Sequence, residues 1–222
     1  MNILILSLNS IAHMYLSGIS GVFFKEFRRY PKLTYNWIYI ILASLISIIS
    51  IIMLSITDSP LVFRSASYTM WITVGVAVIT VIIQLFIESG ILTVGSKINN
   101  VGFRLPLLSK GMKIELILIG IFEEISYRFF ILGALMTMSV STPIAVMVSA
   151  LLYMLNHFYM LKSNPLGLYQ GISKFVFGVL LAILYIKFSI ICCIFTHAFY
   201  NIILLFGFSS FANRASGRRM AG

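Results

Sequence analysis

The chain consists of long apolar runs separated by short polar segments. Most of these runs approach or exceed the roughly 20 residues that a helix needs to cross the hydrocarbon core of a membrane. They are Ile3–Phe24, Trp37–Ile56, Tyr68–Leu92, Ile114–Met138, Ile144–Leu161, Leu168–Ile186 and Ser189–Phe208. The runs are continuously apolar, whereas membrane strands are shorter and alternate in polarity. The pattern therefore predicts an all-α polytopic transmembrane helix bundle of about seven spans.

The positions of the prolines independently support the boundaries of these runs. The five prolines all fall between the runs: Pro31, Pro60, Pro106, Pro143 and Pro165. Proline ends or kinks a helix, so its placement supports the same division of the chain. One unbroken helix over the last two runs would measure about 60 Å, roughly twice the membrane core. We therefore expect a break near Lys187–Phe188, and a single integral-membrane domain over residues 1–222.

Composition narrows the class of protein further. Hydrophobic residues make up 60% of the chain and charged residues 10%, with a mean hydropathy of +1.03. Soluble domains carry about 25% charged residues, so soluble, disordered and fibrous classes are excluded. The net charge of +10 is scattered over short loops. This scatter favours contact with anionic lipid over a nucleic-acid partner.

The distribution of Lys and Arg predicts the orientation in the membrane. Most of the 16 basic residues fall on one side of the predicted spans. They are Lys25, Arg28, Arg29, Lys32, Lys97, Arg104, Lys110, Lys113, Lys162, Lys174, Arg214, Arg218 and Arg219, against Arg64 and Lys187 on the other side. Cytoplasmic loops carry the excess of Lys and Arg. We therefore expect the N-terminus outside and the C-terminus in the cytoplasm, in the plasma membrane.

Candidate chemistry lies in the ionisable residues inside the fourth run. Such residues are costly in a membrane and mark functional sites by default. Glu124 and Arg128 are four residues apart and can pair on one helix face. Glu123 is rotated by about 100° and has no local cation, which suits a general base or acid. The alternative is that all three charges only hold helices together.

Two histidines in later runs extend this candidate site. His157 follows Tyr153, and His197 precedes Asn201, each at a spacing of four residues. From the helical rise, Glu123 lies about 13 Å from the cytoplasmic end of its span, His157 about 6 Å, His197 about 16 Å and Asn201 about 10 Å. All four fall in or near the cytoplasmic half, so they can converge in one cavity.

This set of side chains suits the hydrolysis of an amide. Glu123 with His157 can activate a water, and His197 with Asn201 can donate hydrogen bonds to the oxyanion. Glu and His are also zinc ligands, so a zinc site is the minority alternative. The H-E-x-x-H spacing of zinc proteases is absent from the sequence.

The three motifs together resemble a known family. Glu-Glu-x-x-x-Arg (Glu123, Glu124, Arg128), aromatic-x-x-x-His (Tyr153, His157) and His-x-x-x-Asn (His197, Asn201) follow in this order on three predicted helices. This order resembles the CPBP family of CAAX proteases and bacteriocin-processing proteins, also called the Abi family, which is related to the type II CAAX prenyl endopeptidases. The resemblance extends from Ile114 to Phe208. The second motif often begins with Phe, and here Tyr153 takes that place.

The resemblance implies an intramembrane glutamic endopeptidase that needs no metal or other cofactor. Glu123 would be the base, assisted by His157; His197 and Asn201 would form the oxyanion site, and Glu124 and Arg128 would shape the pocket. Substrates would be membrane-embedded, prenylated or small peptides and proteins. The family also implies an alternative, a non-catalytic role in bacteriocin immunity or scaffolding.

Overall fold

The computed structural model describes residues 35–56, 70–99, 112–157 and 166–217. Within these ranges every regular element is helical. The helices are α1 (Tyr35–Ile56), α2 (Met70–Ile98), α3 (Met112–Glu124), a π-helix (Ile125–Leu132), α4 (Gly133–Thr137), α5 (Thr142–Asn156), α6 (Gly167–Lys187) and α7 (Ile190–Gly217). The all-α class predicted from the sequence is confirmed for the described residues.

The helices follow the apolar runs closely. The first predicted span, Ile3–Phe24, lies outside the described residues. The fourth run becomes one rod from Met112 to Thr137, formed by α3, the π-helix and α4. The last two runs become separate helices, and the chain leaves the helical conformation at Phe188, where the expected break lies. A break of this kind lets α7 fold back instead of extending α6.

Proline marks the beginning of α5, as the sequence pattern indicates. The rod that ends at Thr137 is followed by a turn in which Ser139 has a φ of 59°. Pro143 then lies in the first turn of α5, where its missing N–H has no helical partner to lose. The turn therefore separates α4 from α5 without a long loop.

Two of the described helices are long and apolar enough to cross a membrane. They are α2 and α6, while α1, α5 and α7 give shorter apolar stretches. Large apolar side chains on the outer faces are exposed, with 83% of Trp71 and 76% of Phe86 accessible. Exposed apolar surface of this extent is typical of contact with lipid or a partner. The count of seven spans and the orientation stay predictions.

The core lies between the π-helix, α5, α6 and α7. Its largest fully buried apolar and aromatic side chains are Tyr127, Phe130, Tyr153, Phe177 and Tyr200. Helices α5 and α6 approach closely because Gly178 has no side chain. A Cβ there would lie 3.1 Å from the Cα of Ala150. Close packing at this point brings α6 against α5, and His157 follows the last residue of α5.

Candidate active site

The two glutamates lie where the helical geometry changes. Glu123 and Glu124 are the last residues of α3, and the π-helix Ile125–Leu132 begins immediately after them. The N–H of Gly133 bonds to the carbonyl of Arg128, five residues earlier, as in π-helical geometry. Short π-helical turns are frequent at functional sites. Seven of the eight residues in this π-helix are buried, so it joins the glutamates to the core.

Glu124 and its partner Arg128 connect α3 to α6 and α7. Its Oε2 lies 3.2 Å from Nε of Arg128, the partner that the spacing of four residues favours. Its Oε1 lies 2.7 Å from Nδ1 of His197 on α7. Arg128 donates from Nη2 to the carbonyl of Gly178 on α6 at 3.2 Å, and its guanidinium lies 4.6 Å from the centre of the Tyr153 ring. Glu124 and Arg128 are fully buried, so each compensates the charge of the other.

Glu123 lies between the two histidines. Its Oε1 is 3.5 Å from Nε2 of His157, and its Oε2 is 3.7 Å from Nε2 of His197. These separations are within ion-pair distance but longer than good direct hydrogen bonds. The structure thus brings Glu123, His157 and His197 together from three helices that lie far apart in sequence.

The hydrogen bonds of the histidine rings decide which nitrogen faces Glu123. Nδ1 of His157 lies 2.9 Å from the carbonyl of Tyr153, and a carbonyl oxygen only accepts hydrogen bonds. Nδ1 therefore carries the proton, and Nε2 of a neutral ring has a free lone pair toward Glu123. Nδ1 of His197 donates to the Glu124 carboxylate in the same way.

Asn201 has a different environment from the other predicted site residues. Its Nδ2 donates to the carbonyl of Leu116 on α3 at 3.0 Å. Among the hydrogen bonds of the described residues, none joins Asn201 to Glu123, His157 or His197. The structure thus places Asn201 next to the site, one helical turn beyond His197, and bonded to the backbone of α3.

Gly120 permits this approach of α7 to α3, and sequence reasoning missed it. A Cβ at Gly120 would lie 2.9 Å from Nδ2 of Asn201 and 3.3 Å from the ring of His197. The available signal was the position of Gly120 one turn before Glu124, on the same helix face. Glycine here leaves room for both predicted oxyanion residues.

Tyr153 forms the aromatic wall of the site. Its ring packs edge-on against the rings of His157, at 4.8 Å between centroids, and of His197, at 6.1 Å. It also packs edge-on against Tyr127 at 5.5 Å. The hydroxyls of Tyr127 and Tyr153 are buried and have no hydrogen-bond partner among the described protein atoms. The ring of Tyr153, rather than its hydroxyl, makes the contacts that position the histidines.

Among the residues of the ion-pair network, His157 is the most exposed. Its side chain is 18% exposed, compared with 6% for Glu123, 3% for His197 and 0% for Glu124.

A second polar cluster lies beside the site, and sequence reasoning did not predict it. Glu88 lies on α2, within the third apolar run. In the structure it accepts a hydrogen bond from the hydroxyl of Tyr200 on α7. The ammonium of Lys174 on α6 lies 5.2 Å from the centre of the Tyr200 ring, and Gln84 donates to the hydroxyl of Ser173 at 3.0 Å. In the described part of the chain, no group of three or more His, Cys, Asp or Glu has the arrangement of a metal site.

Comparison with protein families assigns the part of the chain that contains this site. The family model for type II CAAX prenyl endopeptidase Rce1-like proteins matches residues 111–203. The match confirms the resemblance that the three motifs predicted, and it includes every residue of those motifs. Comparisons with curated proteins and with solved structures give no significant match.

The family assignment supports two coarser conclusions about the protein. The family is one of proteases, so the match supports peptidase activity in general. Together with the two long apolar helices, the match also indicates a membrane protein.

Proposed function

We propose that the protein is an intramembrane endopeptidase that hydrolyses peptide bonds with a water activated by Glu123. The observation that carries this proposal is the position of the Glu123 carboxylate. It lies 3.5 Å and 3.7 Å from Nε2 of two histidines, in a buried part of a protease-family domain. Substrates would be membrane-associated or prenylated proteins, or small peptides.

The geometry around Glu123 suits the activation of water. A water between Oε1 of Glu123 and Nε2 of His157 can donate one hydrogen bond to each, because both atoms are acceptors when His157 is neutral. Glu123 then takes a proton as the water oxygen attacks the carbonyl carbon of the peptide. When the carbon–nitrogen bond breaks, Glu123 returns this proton to the leaving amine.

His197 would stabilise the oxyanion, and Asn201 would assist it. His197 donates to Glu124 from Nδ1, so a second proton on the ring makes Nε2 a donor as well. With one imidazolium, the two carboxylates and the guanidinium of Arg128 form a neutral buried cluster, which avoids an uncompensated charge. The amide of Asn201 has a second N–H beyond the one that Leu116 accepts.

We propose that this reaction needs no metal or other cofactor, as the family resemblance implies. The alternative is zinc held by Glu123, His157 and His197. Chelators should leave the purified enzyme active on a reporter peptide. Stoichiometric zinc, with activity lost to a chelator and restored by zinc, would reject the glutamate mechanism.

The second candidate function is non-catalytic, in bacteriocin immunity or as a membrane scaffold. One observation favours it: Glu124, Arg128 and Asn201 all make contacts that join helices, so part of the polar network has a structural use. An immunity or scaffold protein would keep its biological effect in a Glu123→Gln variant. An endopeptidase would lose it.

The proposed setting is the plasma membrane, with several spans and a cytoplasmic C-terminus. The lipid bilayer and a membrane-embedded or lipidated peptide would be the partners, without a nucleic acid. A reporter fused after Gly222 should be active only on the cytoplasmic side. Activity of that reporter only outside the cell would contradict the orientation.

The substrate can be found by comparing cells that contain the wild-type protein with cells that contain Glu123→Gln. Membrane and secreted peptides are measured in both by mass spectrometry, at equal amounts of protein. The proposal predicts cleavage products that depend on Glu123, together with accumulation of their precursors in the variant. Identical peptide populations in the two cell lines would contradict it.

A further inference from the structure

Helix α2 carries a carboxylate that is hydrogen-bonded to α7, the helix of His197. Glu88 is partly buried on α2, and its Oε2 accepts a hydrogen bond from the hydroxyl of Tyr200. Tyr200 is fully buried. A buried tyrosine hydroxyl usually has a hydrogen-bond partner, and a carboxylate is a stronger partner than a neutral acceptor. The bond to Glu88 therefore fixes the place of the Tyr200 side chain against α2.

The ring of Tyr200 is connected to the ring of His197 through one further side chain. Phe177 on α6 contacts both, with 4.6 Å between its centroid and that of Tyr200 and 5.3 Å between its centroid and that of His197. All three rings are buried. Rings in a closely packed interior cannot move independently of one another. A displacement of Tyr200 is therefore transmitted to His197 through Phe177.

Tyr200 and His197 also share one face of α7. Residues three positions apart on a helix are neighbours on its surface, so the bond to Glu88 restrains the rotation of α7 within one turn of His197. Side chains reach about 5–6 Å from a helix axis, so a rotation of about 10° moves a ring by about 1 Å. A misplacement of about 1 Å can lower the rate of a reaction by about 100-fold. The restraint is thus large enough to matter for chemistry at His197.

We propose that Glu88 is a positioning residue, which through Tyr200 holds the ring of His197 in the orientation that oxyanion stabilisation requires. This role rests on the proposed endopeptidase function, in which Nε2 of His197 donates to the oxyanion. Nδ1 of the same ring lies 2.7 Å from Oε1 of Glu124, so Glu124 fixes one edge of the ring while Phe177 supports it from α6. Glu88 completes this support from α2.

The proposal gives α2 a part in the site, although Glu88 lies outside the matched residues 111–203. A second bond joins α2 to the neighbouring helix. One turn before Glu88, the buried Gln84 donates to the hydroxyl of Ser173 on α6 at 3.0 Å. This bond ends on α6 rather than α7, so Ser173 offers a matched control for a purely structural connection.

The alternative is that the bond of Glu88 only stabilises the packing of α2 against α7. A purely structural role would lower Tm and the amount of folded protein, and it would leave kcat of each folded molecule unchanged. The test therefore compares full-length wild type, Glu88→Leu, Glu88→Gln, Tyr200→Phe and Ser173→Ala in vesicles. Rates are measured on one reporter peptide, per folded molecule, at a temperature below the lowest Tm.

Glu88→Leu and Tyr200→Phe should each lower kcat by about 10- to 100-fold and leave KM within about twofold, because neither removes a contact with the substrate. Glu88→Gln should keep kcat within about threefold of wild type, since its amide oxygen still accepts the hydroxyl of Tyr200. Ser173→Ala should lower Tm and leave kcat unchanged. A fall in Tm without a fall in kcat, in both Glu88→Leu and Tyr200→Phe, would overturn the positioning role.

A second measurement does not depend on activity. The chain has three histidines, so the ring signals of His197 in protein with isotope-labelled histidine can be assigned by NMR with His197→Ala. We expect Glu88→Leu and Tyr200→Phe to move these signals and Ser173→Ala to leave them in place. A wild type that cleaves no peptide would reject the endopeptidase, while the signals still decide whether Glu88 positions His197. Signals of His197 that stay unchanged in both Glu88→Leu and Tyr200→Phe would overturn the proposal.

Discussion

Glu124→Ala should destabilise the protein through the charge that it leaves behind. Glu124 and Arg128 are both 0% exposed, and Nε of Arg128 lies 3.2 Å from the carboxylate that the substitution removes. His197 also loses the acceptor that lies 2.7 Å from its Nδ1. Removing one partner of a buried ion pair costs about 3–5 kcal/mol, because the remaining charge is uncompensated.

This cost can be measured as a shift in melting temperature. For a chain of this length each kcal/mol shifts Tm by about 2–4 °C, so Glu124→Ala should lower Tm by about 6–20 °C. The assay is thermal unfolding of the purified protein in one detergent, together with the amount that accumulates in membranes. The loss of folded protein should accompany any loss of activity.

A double variant distinguishes the charge from the packing. Glu124→Met with Arg128→Met removes both charges and keeps apolar volume, so it should recover much of the lost stability. A Glu124→Ala protein that melts within 2 °C of wild type and accumulates normally would refute the structural role of the pair. A double variant as unstable as Glu124→Ala would show that uncompensated charge is not the cause.

Other substitutions test the remaining parts of the site and the packing around it. His157→Ala should reduce the rate of cleavage by about 10²–10⁴-fold in a vesicle assay, because Glu123 loses the residue that helps it to activate water. An unchanged rate would show that His157 takes no part in water activation. Asn201→Ala should lower kcat by about 10²–10³-fold, the cost of losing one oxyanion donor. If the substitution changes only Tm, the role of Asn201 is limited to its hydrogen bond to α3. Gly178→Ala should lower the free energy of unfolding by about 1–3 kcal/mol, because the added Cβ would be too close to α5. Gly75→Ala should raise it by about 0.5–1 kcal/mol, because a Cβ there meets nothing within 4 Å. Equal Tm values for the two variants would contradict both expectations. Tyr153→Phe should melt at or above the wild-type Tm, because the hydroxyl has no hydrogen-bond partner among the described residues. A fall of several degrees would show that the hydroxyl makes a stabilising hydrogen bond.

The sequence predicts those parts of the site that depend on local helical geometry. The spacing of Glu124 and Arg128 is enough to place them on one face, since it depends only on the helical repeat. The helical rise likewise places His157 and His197 at depths where they can meet Glu123. These estimates need no knowledge of how the helices pack.

Contacts between helices could not be read from the sequence in the same way. The bond from His197 to Glu124 depends on how α7 is rotated against α3, and Gly120 sets how closely the two approach. The bond between Glu88 and Tyr200 joins residues 112 positions apart, so no local pattern indicates it. Burial against neighbouring helices, rather than spacing along one helix, decides such contacts.

The π-helix was also beyond the reach of the sequence pattern. It lies within an apolar run, and no glycine or proline occurs between Ile125 and Leu132 to mark it. Its hydrogen bonds differ from those of an α-helix by one residue, which leaves the hydrophobic pattern nearly unchanged.

The most direct test of the central claim is the cleavage rate of Glu123→Gln in purified form. Wild type and variant are reconstituted at equal concentration in vesicles and given the same prenylated reporter peptide. Glutamine keeps the shape of the side chain and removes the basic oxygen. We expect equal Tm values for the two proteins and a cleavage rate that is about 10²–10⁴-fold lower for the variant. Folded Glu123→Gln that cleaves the peptide within threefold of the wild-type rate would contradict it.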